Sequence, residues 1–300
     1  MIVGRVTSFH RPGPATRRTF LSRALGALGA AAGVALTGGW SRAAKAATLA
    51  LGARRLDRIG IQLYTVRHLM ERDADATLAS LSAIGYREVE LAGLYGHSAR
   101  EMRQMLDRHG LRGVSGHTDL RGMRRAWAQL LDDAATLGQR YVVCAWIPES
   151  ERRGDDFRRI AGELNRLGES ARSHGLQLAY HNHTYEFTPV DGIVPYDLLL
   201  ARCDPHLVQM EADLMWMTRA GGDPLAYFAS YPGRFPMVHV KDMTRDGTMV
   251  DVGRGVIDFR AIFARSEQAG IAHYFVEHDE PPDPLADARV CYDYLRQLTF

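Results

Sequence analysis

The stretch Ala179-Tyr180-His181-Asn182-His183-Thr184-Tyr185-Glu186-Phe187 closes an apolar run that begins at Leu176. Its two histidines are spaced i, i+2, a spacing that turns both rings to one side of a strand. Three later stretches repeat the form, an apolar run ending in hard polar residues. They are Gln209-Met210-Glu211-Ala212-Asp213, Met237-Val238-His239-Val240-Lys241-Asp242 and Tyr274-Phe275-Val276-Glu277-His278-Asp279. The alternate positions (Tyr180, Met210, Ala212, Val238, Val240 and Val276) are apolar, so polar groups on one face and packing groups on the other form a consistent pattern.

Working outward, the chain alternates short apolar runs with helical periodicity. The pattern predicts strands over 60–66, 86–91, 111–117, 141–146, 176–183, 207–213, 235–241 and 272–277. It predicts helices over 73–84, 98–109, 126–137, 155–174, 195–202, 224–230, 259–268 and 285–298. Glycine follows most of these helices (Gly85, Gly110, Gly138, Gly175 and Gly270 among them), where a left-handed residue turns the chain into the next strand. Strict alternation implies a parallel sheet, and eight units of this length fit a closed (β/α)8 barrel, an α/β fold in a single domain. An open doubly wound sheet would carry a glycine-rich phosphate loop after its first strand. The segment Gln62-Leu63-Tyr64-Thr65-Val66-Arg67 has no such loop.

The net charge of +2 mixes two unlike pieces. Residues 1–47 hold seven basic residues (Arg5, Arg11, Arg17, Arg18, Arg23, Arg42 and Lys45) and no Asp or Glu. The remainder carries 30 basic against 35 acidic residues, a net of −5, which argues against a nucleic-acid partner. Thr16-Arg17-Arg18-Thr19-Phe20-Leu21 followed by an Ala/Gly/Leu run and Ala44-Lys45-Ala46 reads as a twin-arginine export signal over 1–46. A short linker, 47–57, and the barrel, 58–300, follow it. The expectation is a periplasmic protein exported after folding, with no membrane partner once the signal is cleaved. Cys144, Cys203 and Cys291 are widely spaced and odd in number, so they form neither a disulfide framework nor a CxxC knuckle.

In a barrel of this kind the C-terminal strand ends converge on one mouth, and catalytic residues come from several strands. There the pattern puts Glu90 on strand two and His117 on strand three. His181 and His183 end strand five, Glu211 and Asp213 strand six, His239 and Lys241 strand seven, and Glu277 strand eight. His181, Asp213, His239 and Glu277 are the candidate metal ligands. Carboxylates and imidazoles without thiolate suit one divalent ion, Mn, Co, Zn, Mg or Fe. Such an ion polarises a sugar carbonyl, and a neighbouring base removes the acidified proton. Glu277 and Lys241 are the candidates for that proton chemistry. Glu90, His117, Glu211 and Trp216 are the candidate substrate contacts, with the indole placed to stack on a sugar ring.

The run resembles the sugar phosphate isomerase/epimerase family, the xylose-isomerase-like TIM barrels. The resemblance covers about residues 58–300 and is carried by Tyr180-His181-Asn182-His183, Glu211-Ala212-Asp213-Leu214-Met215-Trp216 and His239-Val240-Lys241-Asp242. It implies one divalent metal held by Glu, Asp, His and Glu from the last four strands, mapping onto Asp213, His239 and Glu277. The first Glu falls on His181, a departure that removes the symmetric two-glutamate proton exchange. His183 then becomes the candidate second base, as in relatives that cleave 3-keto-glycosides. The nuclease relatives have a further His three residues after the strand-six Asp, where this chain has Trp216. The resemblance therefore implies a metal-dependent isomerase or epimerase acting on a carbohydrate or polyol. A lyase or hydratase acting on 3-keto-glycosides or keto-inositol is the alternative, and a non-catalytic sugar-binding barrel is a reading of another class.

Overall fold

The computed structural model describes residues 54–300. The export signal expected over 1–46, and the first part of the linker, lie outside the described residues. Eight strands close a parallel barrel in the order β1-β10-β7-β6-β5-β4-β3-β2. They are β1 Gly60–Gln62, β2 Glu88–Leu91, β3 Arg112–Asp119, β4 Tyr141–Trp146, β5 Gln177–His181, β6 Val208–Asp213, β7 Met237–Val240 and β10 His273–Val276. Between β7 and β10 a two-stranded hairpin, β8 Asp242–Met243 with β9 Met249–Val250, stands outside the barrel. Among the described residues no helix is long and apolar enough to cross a membrane.

The apolar positions divide as the strand period requires. Val114, Tyr141, Val143, Ala179, Met237 and Phe275 form a separate buried cluster. Most share the parity of the polar strand ends above them, so they fill the barrel's interior beneath the site. The other parity (Tyr180, Met210, Ala212, Val238, Val240 and Val276) joins the larger core shared with the helices. The helices are fixed by local chemistry. Ser98 and Glu101 form a capping box at the start of Ala99–Arg108. Gly138 closes Leu120–Leu137 with φ 71, a conformation that suits glycine.

Among the differences from the sequence expectation, four shape the framework. The first strand stops at Gln62, whose side-chain oxygen accepts the Tyr64 N–H and starts a 3-10 turn over Leu63–Val66. The helix expected from 126 begins at Leu120, with a kink at Ala126. The helix expected over 259–268 is two pieces, Phe259–Phe263 and Ser266–Ala269. The fifth strand ends at His181 rather than His183. Here Asn182 replaces the backbone ladder: its amide donates to the Asp213 carbonyl (3.3 Å) and its oxygen accepts the Asp213 N–H (3.1 Å). His183 therefore lies past the strand, on a segment held by the Glu186 carboxylate.

Candidate active site at the barrel mouth

A pocket of about 740 Å³ opens at the C-terminal ends of the strands. His117 and His181 line it from β3 and β5, together with His183, Trp216, Lys241, Glu277 and Asp279, and the Lys241 ammonium lies over the Trp216 ring. Tyr64 and Trp146 stand at its rim, 41% and 39% exposed. Glu90, Glu211, Asp213 and His239 are fully buried beside it. The strand-end residues expected from sequence are thus gathered in one place, in two layers set by the barrel's register.

The upper layer holds Asp213, His239 and Glu277, whose donor atoms lie within 4.8 Å of one another. The lower layer holds His117, His181, Glu211 and His239, equally close. His239 belongs to both. One ring nitrogen, Nδ1, is 2.6 Å from Glu277, and the other, Nε2, is 2.6 Å from Glu90. His181 falls in the lower layer because β5 pairs it with Glu211, whereas Asp213 pairs with His239. The four residues expected to form one ligand set are therefore divided: Asp213, His239 and Glu277 stand together, and His181 stands with His117 and Glu211.

Lys241 reaches into the upper layer. Its Nζ lies 2.8 Å from Glu277, 2.8 Å from Asp279 and 3.1 Å from Asp213. Asp279 and Gln62, which donates to Glu90 at 2.8 Å, were not singled out from sequence as site residues. For Asp279 a signal existed, since it follows Glu277 at the i, i+2 spacing used throughout. The aromatic wall was likewise missed in part. Trp146 packs edge-on against His183, and the Arg152 guanidinium lies over both Trp146 and Tyr185.

The charges of the site follow from these contacts. Burial works against the Lys241 ammonium, but Asp213, Glu277 and Asp279 outweigh it and hold its pKa well above the usual lysine value. Burial likewise opposes the charged form of Glu277, and Lys241 and His239 reverse that, keeping its carboxyl well below the usual range. Asp213 is pushed up to about 6, because its burial is only partly offset by Lys241 and His239. His117 is raised to about 9, the carboxylates Glu90 and Glu211 outweighing its burial. His183 behaves oppositely: burial first, and then the nearby Lys241, lower it to about 3, so the ring is neutral at ordinary pH.

Among the described residues, several buried polar atoms have no hydrogen-bond partner, which is costly unless a ligand supplies one. Among them are Glu90 Oε1, Glu211 Oε1, His181 Nδ1, His183 Nδ1 and Trp216 Nε1. Orphaned carboxylate and imidazole atoms converging at a pocket floor are the donor set of a divalent cation, so the residues present fit such an ion. His183 and Trp216, whose ring nitrogens are also unpartnered, line the same pocket.

A closed parallel barrel with a histidine and carboxylate cluster at its C-terminal mouth defines a class of metal-site barrels. The sequence profile of the xylose isomerase-like TIM barrel family matches residues 78–297, and the chain belongs to that family. It is 26% identical to a sugar phosphate isomerase/epimerase from Parabacteroides distasonis of known structure. That match has a TM-score of 0.71 and covers 82% of this chain and 95% of the other. It is 29% identical to an inosose dehydratase from Lacticaseibacillus casei over 43% of this chain, spanning about half (49%) of that relative's length. It is 24% identical to an inosose dehydratase from Geobacillus kaustophilus, over 75% of this chain and 87% of the relative.

Proposed function

We propose that the chain is a divalent-metal-dependent lyase that eliminates water or an alcohol from the position β to the carbonyl of a keto-inositol or 3-keto-sugar. The observation that carries this reading is the His183 imidazole: neutral, unpartnered at Nδ1 and facing the same pocket as the buried Lys241 ammonium. The relatives named inosose dehydratase support it over the isomerase or epimerase expectation. The departure at His181 points the same way. A two-base epimerase needs a matched carboxylate there, and position 181 holds an imidazole whose Nδ1 lies 3.2 Å from Glu211 without a hydrogen bond to it.

The ion would be held by members of the cluster around His239, and when bound it supplies polarisation of the substrate carbonyl. His183 takes the α-proton. Its depressed pKa makes it a weak base but a strong acid once protonated, so it readily returns that proton to the departing oxygen. One residue thus serves both steps, and the α-hydrogen and the β-oxygen leave as water or alcohol. Lys241 is held too firmly protonated to act as an acid. Its ammonium stabilises negative charge developing on the carbonyl oxygen side of the pocket. The Trp216 indole offers its N–H to a hydroxyl and its face to the ring.

The test follows product identity. Incubation with 2-keto-myo-inositol and with a 3-keto-glucoside is expected to give an enone, with release of water or of the aglycone, read by NMR and ultraviolet absorbance. Chelation should abolish turnover, and Mn²⁺ or Co²⁺ should restore it. Ketose interconversion with no loss of water or aglycone would sink the lyase reading in favour of the isomerase. Sugar binding that survives chelation without turnover would favour the non-catalytic barrel. Export to the periplasm remains part of the proposal, resting on the twin-arginine pattern alone, with cell fractionation as its check.

A further inference from the structure

We propose that the metal ion of this chain sits in the lower layer, on His117, His181, Glu211 and His239, and that Lys241 takes the cation's place in the upper layer. This rests on the reading of the site as metal-dependent, and it departs from the ligand set Asp213, His239 and Glu277 that the family resemblance implies.

The lower layer gathers three imidazoles around one carboxylate. Glu211 Oε2 lies 2.7 Å from His117 Nε2, 3.2 Å from His181 Nδ1 and 3.3 Å from His239 Nε2. Three imidazole nitrogens thus surround one carboxylate oxygen, with all four donor atoms within 4.8 Å of one another, a donor set that suits a zinc-like ion. The His181 contact lacks hydrogen-bond geometry, and its Nδ1 stays unpartnered although the residue is only 1% exposed. Glu211 and Glu90 each keep a second buried oxygen without a partner. Two carboxylates beside three imidazoles would balance a divalent charge.

His239 has a carboxylate on each side, so either nitrogen could ligate while the other is oriented from behind. With the ion below, Nε2 ligates and Nδ1 donates to Glu277 at 2.6 Å. Lys241 breaks the tie. Its ammonium already lies against Asp213, Glu277 and Asp279 and offsets part of their charge, so it occupies the place that a cation bound to the upper carboxylates would take. Among the described residues, nothing cationic besides histidine lies within salt-bridge distance of Glu211. His117 and His181 line the pocket, so an ion held by them would lie at its floor, within reach of a carbonyl placed beneath Trp216.

The experiment counts imidazoles. The full chain, stripped of metal and loaded with one equivalent of Zn²⁺ without substrate, is measured by X-ray absorption at the zinc edge. Three imidazoles are expected. Two or fewer, or no zinc retained, would overturn the proposal, since the upper set holds one imidazole and the mixed set with His181 holds two. Variants give a second reading that does not depend on activity. His117→Gln should weaken zinc about tenfold or more and lower the count by one, whereas Asp213→Asn, which keeps the helix cap on Trp216, should retain both zinc and count. The reverse pattern overturns the assignment. Failure of the elimination assay with three imidazoles in place would remove the proposed reaction and leave the site standing.

Discussion

At the scale of single residues, the site depends on which charges burial tolerates. His183 is left neutral by its burial and by the nearby Lys241 ammonium, while Glu186 holds its backbone N–H at 2.8 Å. Glu186 is itself fully buried, and its Oε1 accepts the Tyr180 hydroxyl at 2.7 Å. Burial pushes its carboxyl up to about 7, the hydrogen bonds from Tyr180 and the backbone opposing only part of the shift. Between the ordinary glutamate value and 7 the folded chain therefore binds more protons at this residue than the unfolded chain does. Its contribution to stability is complete below the unfolded value and is lost as pH rises through 7. A shift of this size corresponds to about 3 kcal/mol. Urea unfolding at pH 5 and pH 8, compared between the wild type and Glu186→Gln, should show that loss in the wild type and a flatter dependence in the variant. Equal pH slopes in the two proteins would contradict the account.

At the scale of elements, the loop that follows β7 is organised by one carboxylate. Asp242 is 1% exposed and accepts backbone N–H groups from Met243, Gly253, Gly255 and Ile257 at 2.9 to 3.2 Å. A Cβ at position 255 would collide with that carboxylate, which is why glycine stands there. Asp242→Ala leaves several of these donors unpaired and should cost about 4 kcal/mol by denaturant unfolding. A loss below about 1 kcal/mol would mean water replaces the carboxylate. The same stretch shows how far the sequence could be read. Apolar runs ending in His239, Asp213 and Glu277 announced the strands and the mouth, because strand parity and barrel topology act locally and repeat. The loop cradle was not legible, since its donors are backbone groups far along the chain. Nor was the end of β5 at His181, because it depends on Asn182 finding the backbone of a different strand. The division of the ligand set into two layers had the same cause: pairing of His181 with Glu211 is a register fact, and register is fixed by the closed sheet rather than by either strand alone.

At the scale of the whole molecule, the site is also a fastening. Its donors come from β2, β3, β5, β6 and β7 and from the segment after β10, so one cluster draws on most of the barrel's circumference. Carboxylates from this many strands, crowded at one end, repel one another, and the imidazolium groups His117 and His239 and the Lys241 ammonium offset that repulsion in the absence of metal. A divalent ion would replace protons on the histidines and cross-link strands that are distant in sequence. Binding to the folded chain alone stabilises it by mass action, about 4 kcal/mol at a thousandfold excess over the dissociation constant. For a domain of this size each kcal/mol moves the midpoint by about 3 °C, so metal loading should raise the melting temperature by roughly 10 °C. Calorimetry of the chelated and the Zn²⁺-loaded protein, repeated over a series of free zinc concentrations, tests this. The midpoint should climb with the logarithm of free zinc once the site is filled. A midpoint independent of zinc would mean that the unfolded chain, with its many histidines and carboxylates, binds the ion as well as the barrel does, and that the cluster is not a preformed site.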